Sequence, residues 1–302
     1  MEEKKVMNRR NFIRTGIAGV AGLSIAGSAV AEGLMFPASA TVDRVKFGET
    51  GLFVSRVAMG TGSVGGGHES NQTRLGMDTF VKMTRHAYDR GIKFYDTADS
   101  YGSLPFVGEA IKTLPREDIT LLTKIWTQED SAKNKDTETV PAFLDRCRKE
   151  VGSDYFDIVL LHCMMQGNWS QTRKSYIDAL SKAKQDGIVK AVGVSCHSYD
   201  ALREAAESPW VDVIMARINP FESRMDGTPN AIKEMLGKAQ QNGKGVIGMK
   251  IFGEGTRVKD DEREQSIKFA FTEGNVHSIT LGMESIAHID DAVERVARLS
   301  KQ

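Results

Sequence analysis

Residues 54–67 read VSRVAMGTGSVGGG, a short apolar run that opens into a glycine-rich string. Gly60, Gly62 and Gly65 carry the spacing G-x-G-x-x-G. In a dinucleotide-binding strand-to-helix turn the third glycine of that spacing sits in the first turn of the helix. Here Gly65 is followed by Gly66, Gly67 and the polar HESNQTRLG, and the helical pattern starts only near residue 76. Each glycine costs a helix about 1 kcal/mol relative to alanine, so three together open one poorly. The spacing is read as accidental, and the stretch as a strand followed by a pliable loop.

That strand is the first of eight. The runs SRVAMG, IKFYDTA, ITLLTKI, FDIVLLHC, VKAVGVSC, VDVIMARI, GVIGMKI and HSITLG begin near residues 55, 92, 119, 156, 189, 211, 245 and 277. Polar stretches of helical period separate them, among them MDTFVKMTRHAYDRG, VPAFLDRCRKEVG, QTRKSYIDALSKAKQDG and AIKEMLGKAQQNG, and IAHIDDAVERVARLS closes the chain. Gly91, Gly152, Gly187 and Gly243 stand where helices stop. Strands alternating with helices form parallel sheet, and eight units in this length match a single-domain (β/α)8 TIM barrel of typically about 250 residues. The preceding TVDRVKFGETGLFVS holds a turn at Glu49-Thr50-Gly51 between two apolar runs. It is expected to form a hairpin across the barrel bottom.

The first 40 residues differ from the rest. A basic opening with Arg9-Arg10-Asn11-Phe12-Ile13 leads into the uncharged GIAGVAGLSIAGSAVA, then into Ala29-Val30-Ala31 and Ala38-Ser39-Ala40. A basic region, a short apolar region and small-x-small sites make a cleavable export signal; the paired arginines make it the twin-arginine type, whose machinery exports folded proteins. Residues 1–40 are read as that signal, cut after Ala31 or Ala40, and residues 41–302 as the barrel, exported to the periplasm without a stable membrane anchor. The apolar run falls short of the roughly 20 residues a spanning helix needs.

The 302 residues are 40% hydrophobic and 26% charged with formal net charge +0, so no basic footprint for nucleic acid appears. Cys147, Cys163 and Cys196 do not make a disulfide framework. The six histidines are dispersed and form no metal-ligand cluster, which argues against a metal-dependent hydrolase barrel.

Barrel chemistry sits at the C-terminal ends of the strands. There the second run carries Asp96, with Tyr101 five residues on; the third carries Lys124 and the fourth His162. Side chains alternate along a strand. If Leu160 faces inward so does His162, while Cys163 faces the helices. A phenol is a weak proton donor at neutral pH, and a nearby ammonium lowers its pKa toward the working range. Lys124 supplies that charge, Asp96 holds Lys124 protonated, and His162 hydrogen-bonds a carbonyl oxygen. The set suits carbonyl reduction and lacks a hydride donor, so a redox cofactor is required.

In the contexts YDTADSYG, LLTKIW and VLLHC, with KFGETGLFVSRVAMGTG, GVS and TLGM around them, the chain resembles an aldo-keto reductase over residues 42–300. The resemblance implies Asp96, Tyr101, Lys124 and His162 as the catalytic set, NADP or NAD lying across the barrel mouth, and a small carbonyl or polyol substrate. It places Thr61 near the nicotinamide and Ser195 on its carboxamide, and assigns Met249, Lys250, Gly282, Glu284 and Ser285 to the cofactor. Four positions depart from the family: Cys196 stands for a usual Asn, Met215 for a Gln, and Met249 for a stacking Tyr. Glu284 stands where NADP-preferring members carry an Arg, which tilts toward NAD. A barrel that binds nicotinamide but turns over slowly, as a redox sensor or accessory subunit, is the competing reading.

Overall fold

The computed structural model describes residues 40–127 and 139–299. The expected export signal, apart from Ala40, lies outside them. Two short strands, β1 (Arg44–Lys46) and β2 (Phe53–Ser55), pair antiparallel as the expected hairpin. Eight parallel strands then close a barrel: β3 (Val57–Gly60), β4 (Phe94–Asp96), β5 (Thr120–Trp126), β6 (Phe156–Met164), β7 (Val189–Cys196), β8 (Val213–Arg217), β9 (Gly245–Met249) and β10 (Ser278–Gly282), with β10 hydrogen-bonded to β3.

The barrel interior holds its own apolar cluster, including Ala58, Phe94, Leu122, Ile158, Val213 and Ile247. These residues come from the early parts of their strands, so the lower barrel is packed solid. Phe47 from the hairpin completes the plug, fully buried with its ring 6.4 Å from that of Phe94. Gly245 has to be glycine here, because a Cβ would sit 2.6 Å from the Phe47 ring. The N-terminal end of the barrel is thereby closed.

Outside the strands lie α2 (Met77–Asp89), α3 (Leu104–Ile111), α4 (Val140–Val151), α6 (Lys174–Gln185), α7 (Tyr199–Glu207), α8 (Pro229–Gln241), α9 (Asp260–Thr272) and α10 (Ile286–Leu299), with two short helices, α1 (Asn71–Arg74) and α5 (Trp169–Thr172), in the loops. Gly91, Gly152, Gly187 and Gly243 all take positive φ just past helix ends, the left-handed stop that a glycine adopts without a Cβ penalty.

The structure differs from the pattern reading in three places. The first loop is not uniformly pliable: Ser70 and Thr73 cap α1 reciprocally, Thr73 N–H donating to Ser70 Oγ and Ser70 N–H to Thr73 Oγ1. The helix expected over 171–187 breaks at Arg173, whose φ of −114° is not helical. Strand β6 carries an irregularity between Leu161 and Met164, where Cys163 has φ +65°. Simple alternation therefore fails one residue past His162: Met164 joins the outer core, while Cys163 stays part-exposed.

Candidate active site

Asp96, Lys124 and His162 end or nearly end β4, β5 and β6, three neighbours in the barrel. The Lys124 ammonium, only 2% exposed, donates to Asp96 Oδ1 and to the Thr97 carbonyl at 2.9 Å. The second Asp96 oxygen accepts from Thr280 Oγ1 at 2.8 Å. A buried ion pair of this kind survives only when its remaining hydrogen-bonding capacity is also met, and here β10 meets it from two strands away.

Tyr101 comes from the 3₁₀ turn Asp99–Tyr101 that follows β4. Its ring lies over the Lys124 ammonium, 4.9 Å from nitrogen to centroid, and its hydroxyl is 3.4 Å from His162 Nε2. Gly62 and Gly65 explain why the ring fits: a Cβ at Gly62 would stand 2.3 Å from it, and one at Gly65 2.8 Å. The glycine-rich stretch is therefore the seat of the phenol. His162 is wedged edge-on between Tyr101 and Trp126, with ring centroids 5.7 and 5.3 Å away.

The electrostatics decide which protons these groups hold. Burial pushes the Tyr101 phenol up; Lys124 pulls it down through its charge and a hydrogen bond, and burial wins. The expected lowering by Lys124 is present but is outweighed, so the phenol stays protonated through neutral pH. Burial opposes the Lys124 charge, yet Asp96 and Tyr101 overcome it and keep the ammonium. His162 falls well below the usual imidazole value, first from burial and then from Lys124. Its Nδ1 is buried without a partner. An unmet buried acceptor is tolerated better than an unmet N–H, which puts the ring hydrogen on Nε2, facing the Tyr101 oxygen.

His197 and His277 are also held down, mainly by burial, with His197 pushed down to about 3. A histidine with a depressed folded pKa stabilises fully above its unfolded value and loses that contribution as pH falls. Unfolding below about pH 6.5 should therefore take up protons at His162, His197 and His277, costing up to about 1.4 kcal/mol per pH unit for each. The urea midpoint is expected to be lower at about pH 5.5 than at about pH 7.5; an equal or higher midpoint at acid pH would contradict the neutral assignments.

The other sequence-predicted residues ring the same mouth. Thr61, fully buried, gives its hydroxyl hydrogen to the Asp96 carbonyl at 2.8 Å, so the Ser103 hydroxyl at 2.7 Å must donate to it. Thr61 thus grips the backbone of Asp96. Ser195 Oγ accepts the Cys163 N–H at 2.8 Å, leaving its own hydrogen to donate elsewhere. Met249 lines the interior cluster, and Lys250 pairs with Glu254 at 2.5 Å. At Gly282 a Cβ would lie 1.8 Å from Ser63 Oγ. Glu284 accepts from Asn71 Nδ2 at 2.8 Å, and Ser285 Oγ accepts from His288 N–H at the start of α10.

Sequence reasoning missed Thr280, Trp126 and a group formed by His197, Arg217 and Asp226. The Asp96–Thr280 contact spans 184 positions, and no local motif announces it. Among the described residues no group of His, Cys, Asp and Glu could hold a metal ion, and no helix is long and apolar enough to cross a membrane.

The site thus brings together a protonated phenol, a buried lysine–aspartate pair beneath its ring and an imidazole beside it, at the mouth of a closed barrel. The model of the Aldo/keto reductase family matches residues 56–301. The chain belongs to that family. It is similar to the NADH-specific methylglyoxal reductase of Escherichia coli (strain K12), 26% identical over 219 residues, or 66% of this chain and 64% of that protein. The chain thus spans just under two thirds of that relative's length. The D-threo-aldose 1-dehydrogenase of a Pseudomonas species is 24% identical over 241 residues, 70% of each chain. The holo form of an aldo-keto reductase from Bacillus halodurans shares the fold, with a TM-score of 0.67 at 19% identity over 84% of this chain and 91% of that one.

Proposed function

We propose that this protein is a nicotinamide-dependent oxidoreductase that interconverts a small aldehyde, ketone or sugar and its alcohol, with Tyr101 as general acid and base. The observation that carries the reading is the Tyr101 hydroxyl, 3.4 Å from His162 Nε2, over the buried Lys124–Asp96 pair. In reduction, a substrate oxygen is oriented by the His162 Nε2–H and the Tyr101 O–H. Tyr101 gives its proton to that oxygen as negative charge develops there, and Lys124 stabilises the phenolate left behind. Asp96, held by Thr280, keeps the ammonium beneath the ring. The reduced nicotinamide, when bound, supplies the hydride to the carbonyl carbon.

The residues at the mouth fit such a cofactor. Ser195 has a hydroxyl hydrogen to give from β7, beside the strand of His162, and Met249 offers an apolar surface from β9. The acidic Glu284, already clasped by Asn71 of the first loop, supports NADH over NADPH, because a carboxylate repels a ribose phosphate and accepts from a free ribose hydroxyl. Titrating the protein with each reduced cofactor, then adding aldehydes and aldoses, tests both parts. Tighter binding of NADPH would sink the cofactor preference, and binding of neither would sink the function.

Gly62→Ala probes the phenol's seat. Its methyl would meet the Tyr101 ring and push the hydroxyl from His162. The expected result is a fall in kcat of at least about tenfold, since misplacing a reacting group by about 1 Å costs up to a hundredfold, with cofactor affinity nearly unchanged. An unaltered kcat would show that the ring is not held there.

Export by the twin-arginine route is proposed on the leader sequence. The fold supports Ala31 over Ala40 as the cut. The Ala40 carbonyl accepts from Arg90 Nε at 2.9 Å, and the Val42 N–H donates to the Arg90 carbonyl at 3.0 Å. The bond after Ala40 is therefore tied down in a protein exported folded. The intact mass of the periplasmic chain should begin at Glu32; a chain beginning at Thr41 would contradict this.

A further inference from the structure

His197 follows β7 directly, and its N–H donates to the Met164 carbonyl at 2.8 Å on the neighbouring strand. One Arg217 terminal nitrogen lies 2.6 Å from His197 Nδ1, and the other donates to Asp226 Oδ1 at 2.9 Å. Arginine has donors and no acceptor, so Nδ1 must be the lone-pair nitrogen. The single ring hydrogen of a neutral His197 is then on Nε2. Neutrality is consistent with burial and with the cations Arg217, Lys250 and Lys124, which all disfavour a second proton on the ring.

The ring also stands on the right side of the barrel. Met215 lines the interior, Arg217 lies two residues further along β8, and Arg217 is in register with the interior Met249. Residues two apart on a strand share a face, so Arg217 stands on the mouth side of β8 and meets His197 from the adjacent strand. Cys196, in the position where the resemblance expects an asparagine, is turned into the outer core and is fully buried there. It presents no donor to the mouth.

We propose that His197, locked in its Nε2–H form by Arg217 and Asp226, donates a hydrogen bond to the carboxamide oxygen of the nicotinamide. It supplies from the next residue the donor that Cys196 lacks, and it follows Ser195, whose hydroxyl accepts from the Cys163 N–H and keeps its own hydrogen to donate. An uncharged donor suits a neutral amide oxygen. The inference rests on the nicotinamide reading above.

The test compares two ligands that differ by the nicotinamide ring alone. Binding of NADH and of ADP-ribose is measured by calorimetry on the wild type, on His197→Phe and on His197→Gln. The expected result is about tenfold weaker NADH binding for His197→Phe, the worth of about one hydrogen bond, with ADP-ribose affinity unchanged. His197→Gln, which retains an N–H donor, should recover most of the loss. Equal weakening of both ligands would assign His197 to the phosphates or to the fold, and unchanged NADH binding would remove it from the site; either overturns the proposal. A wild type that binds ADP-ribose but gains nothing from the nicotinamide end also overturns it. Binding of neither ligand by a folded wild type would instead fail the nicotinamide reading itself.

Discussion

Replacing Tyr101 by Phe is expected to lower kcat/KM for carbonyl reduction by about two to four orders of magnitude, the range that a positioned general acid contributes. The expectation follows from three features of the site. The phenol is kept protonated by burial, so it holds the proton that the substrate oxygen requires. Its hydroxyl is directed at His162, where that oxygen would be oriented. The hydroxyl contacts His162 at 3.4 Å and hydrogen-bonds Lys124, so its removal should cost no more than about 3 kcal/mol of stability. The mutant should bind reduced cofactor as the wild type does. Because the phenol is raised, the wild-type reduction rate should hold through neutral pH and fall only as alkaline conditions remove the proton. A mutant as active as the wild type would mean that another group delivers the proton.

Asp96→Ala should be the most damaging single change for stability among the four residues, by about 3–5 kcal/mol. The figure does not measure an attractive contact. It reflects what is left behind: the Lys124 ammonium, 2% exposed, would retain the Thr97 carbonyl and lose its only carboxylate. Thr280 Oγ1 would lose its acceptor as well. Converting Lys124 to Met in the same protein removes the stranded charge, so the double variant should be more stable than the sum of the single effects implies. Urea denaturation of the four proteins measures this. A cost below about 1 kcal/mol for Asp96→Ala would place the pair among exposed ion pairs, which contribute little.

The parts of the fold that were legible in the sequence are those that depend on local order. Strand starts at 156, 189 and 245 coincide with the expected ones, because β-branched runs and terminal glycines act over a few residues. Asp96, Lys124 and His162 were legible for the same reason: each is counted inward from an apolar run. What sequence left out depends on register between distant segments. Thr280 meets Asp96 because β10 closes against β3, and Arg217 meets His197 because β7 and β8 pair with a particular offset. Cys163 was misdirected because an irregularity between β6 and β7 breaks strict alternation just where the site begins. Locally the glycines at 62 and 65 signal only flexibility, but their lack of a Cβ makes room for a tyrosine ring from another loop.

The most direct measurement follows the reduced-nicotinamide absorbance of wild type and Tyr101→Phe side by side, with NADH or NADPH and a panel of small aldehydes and aldoses. Steady loss of that absorbance with at least one carbonyl is expected for the wild type, and a rate lower by about a hundredfold or more for the mutant at equal cofactor occupancy. Equal rates in the two proteins, or cofactor binding with no turnover on any carbonyl, would contradict that expectation.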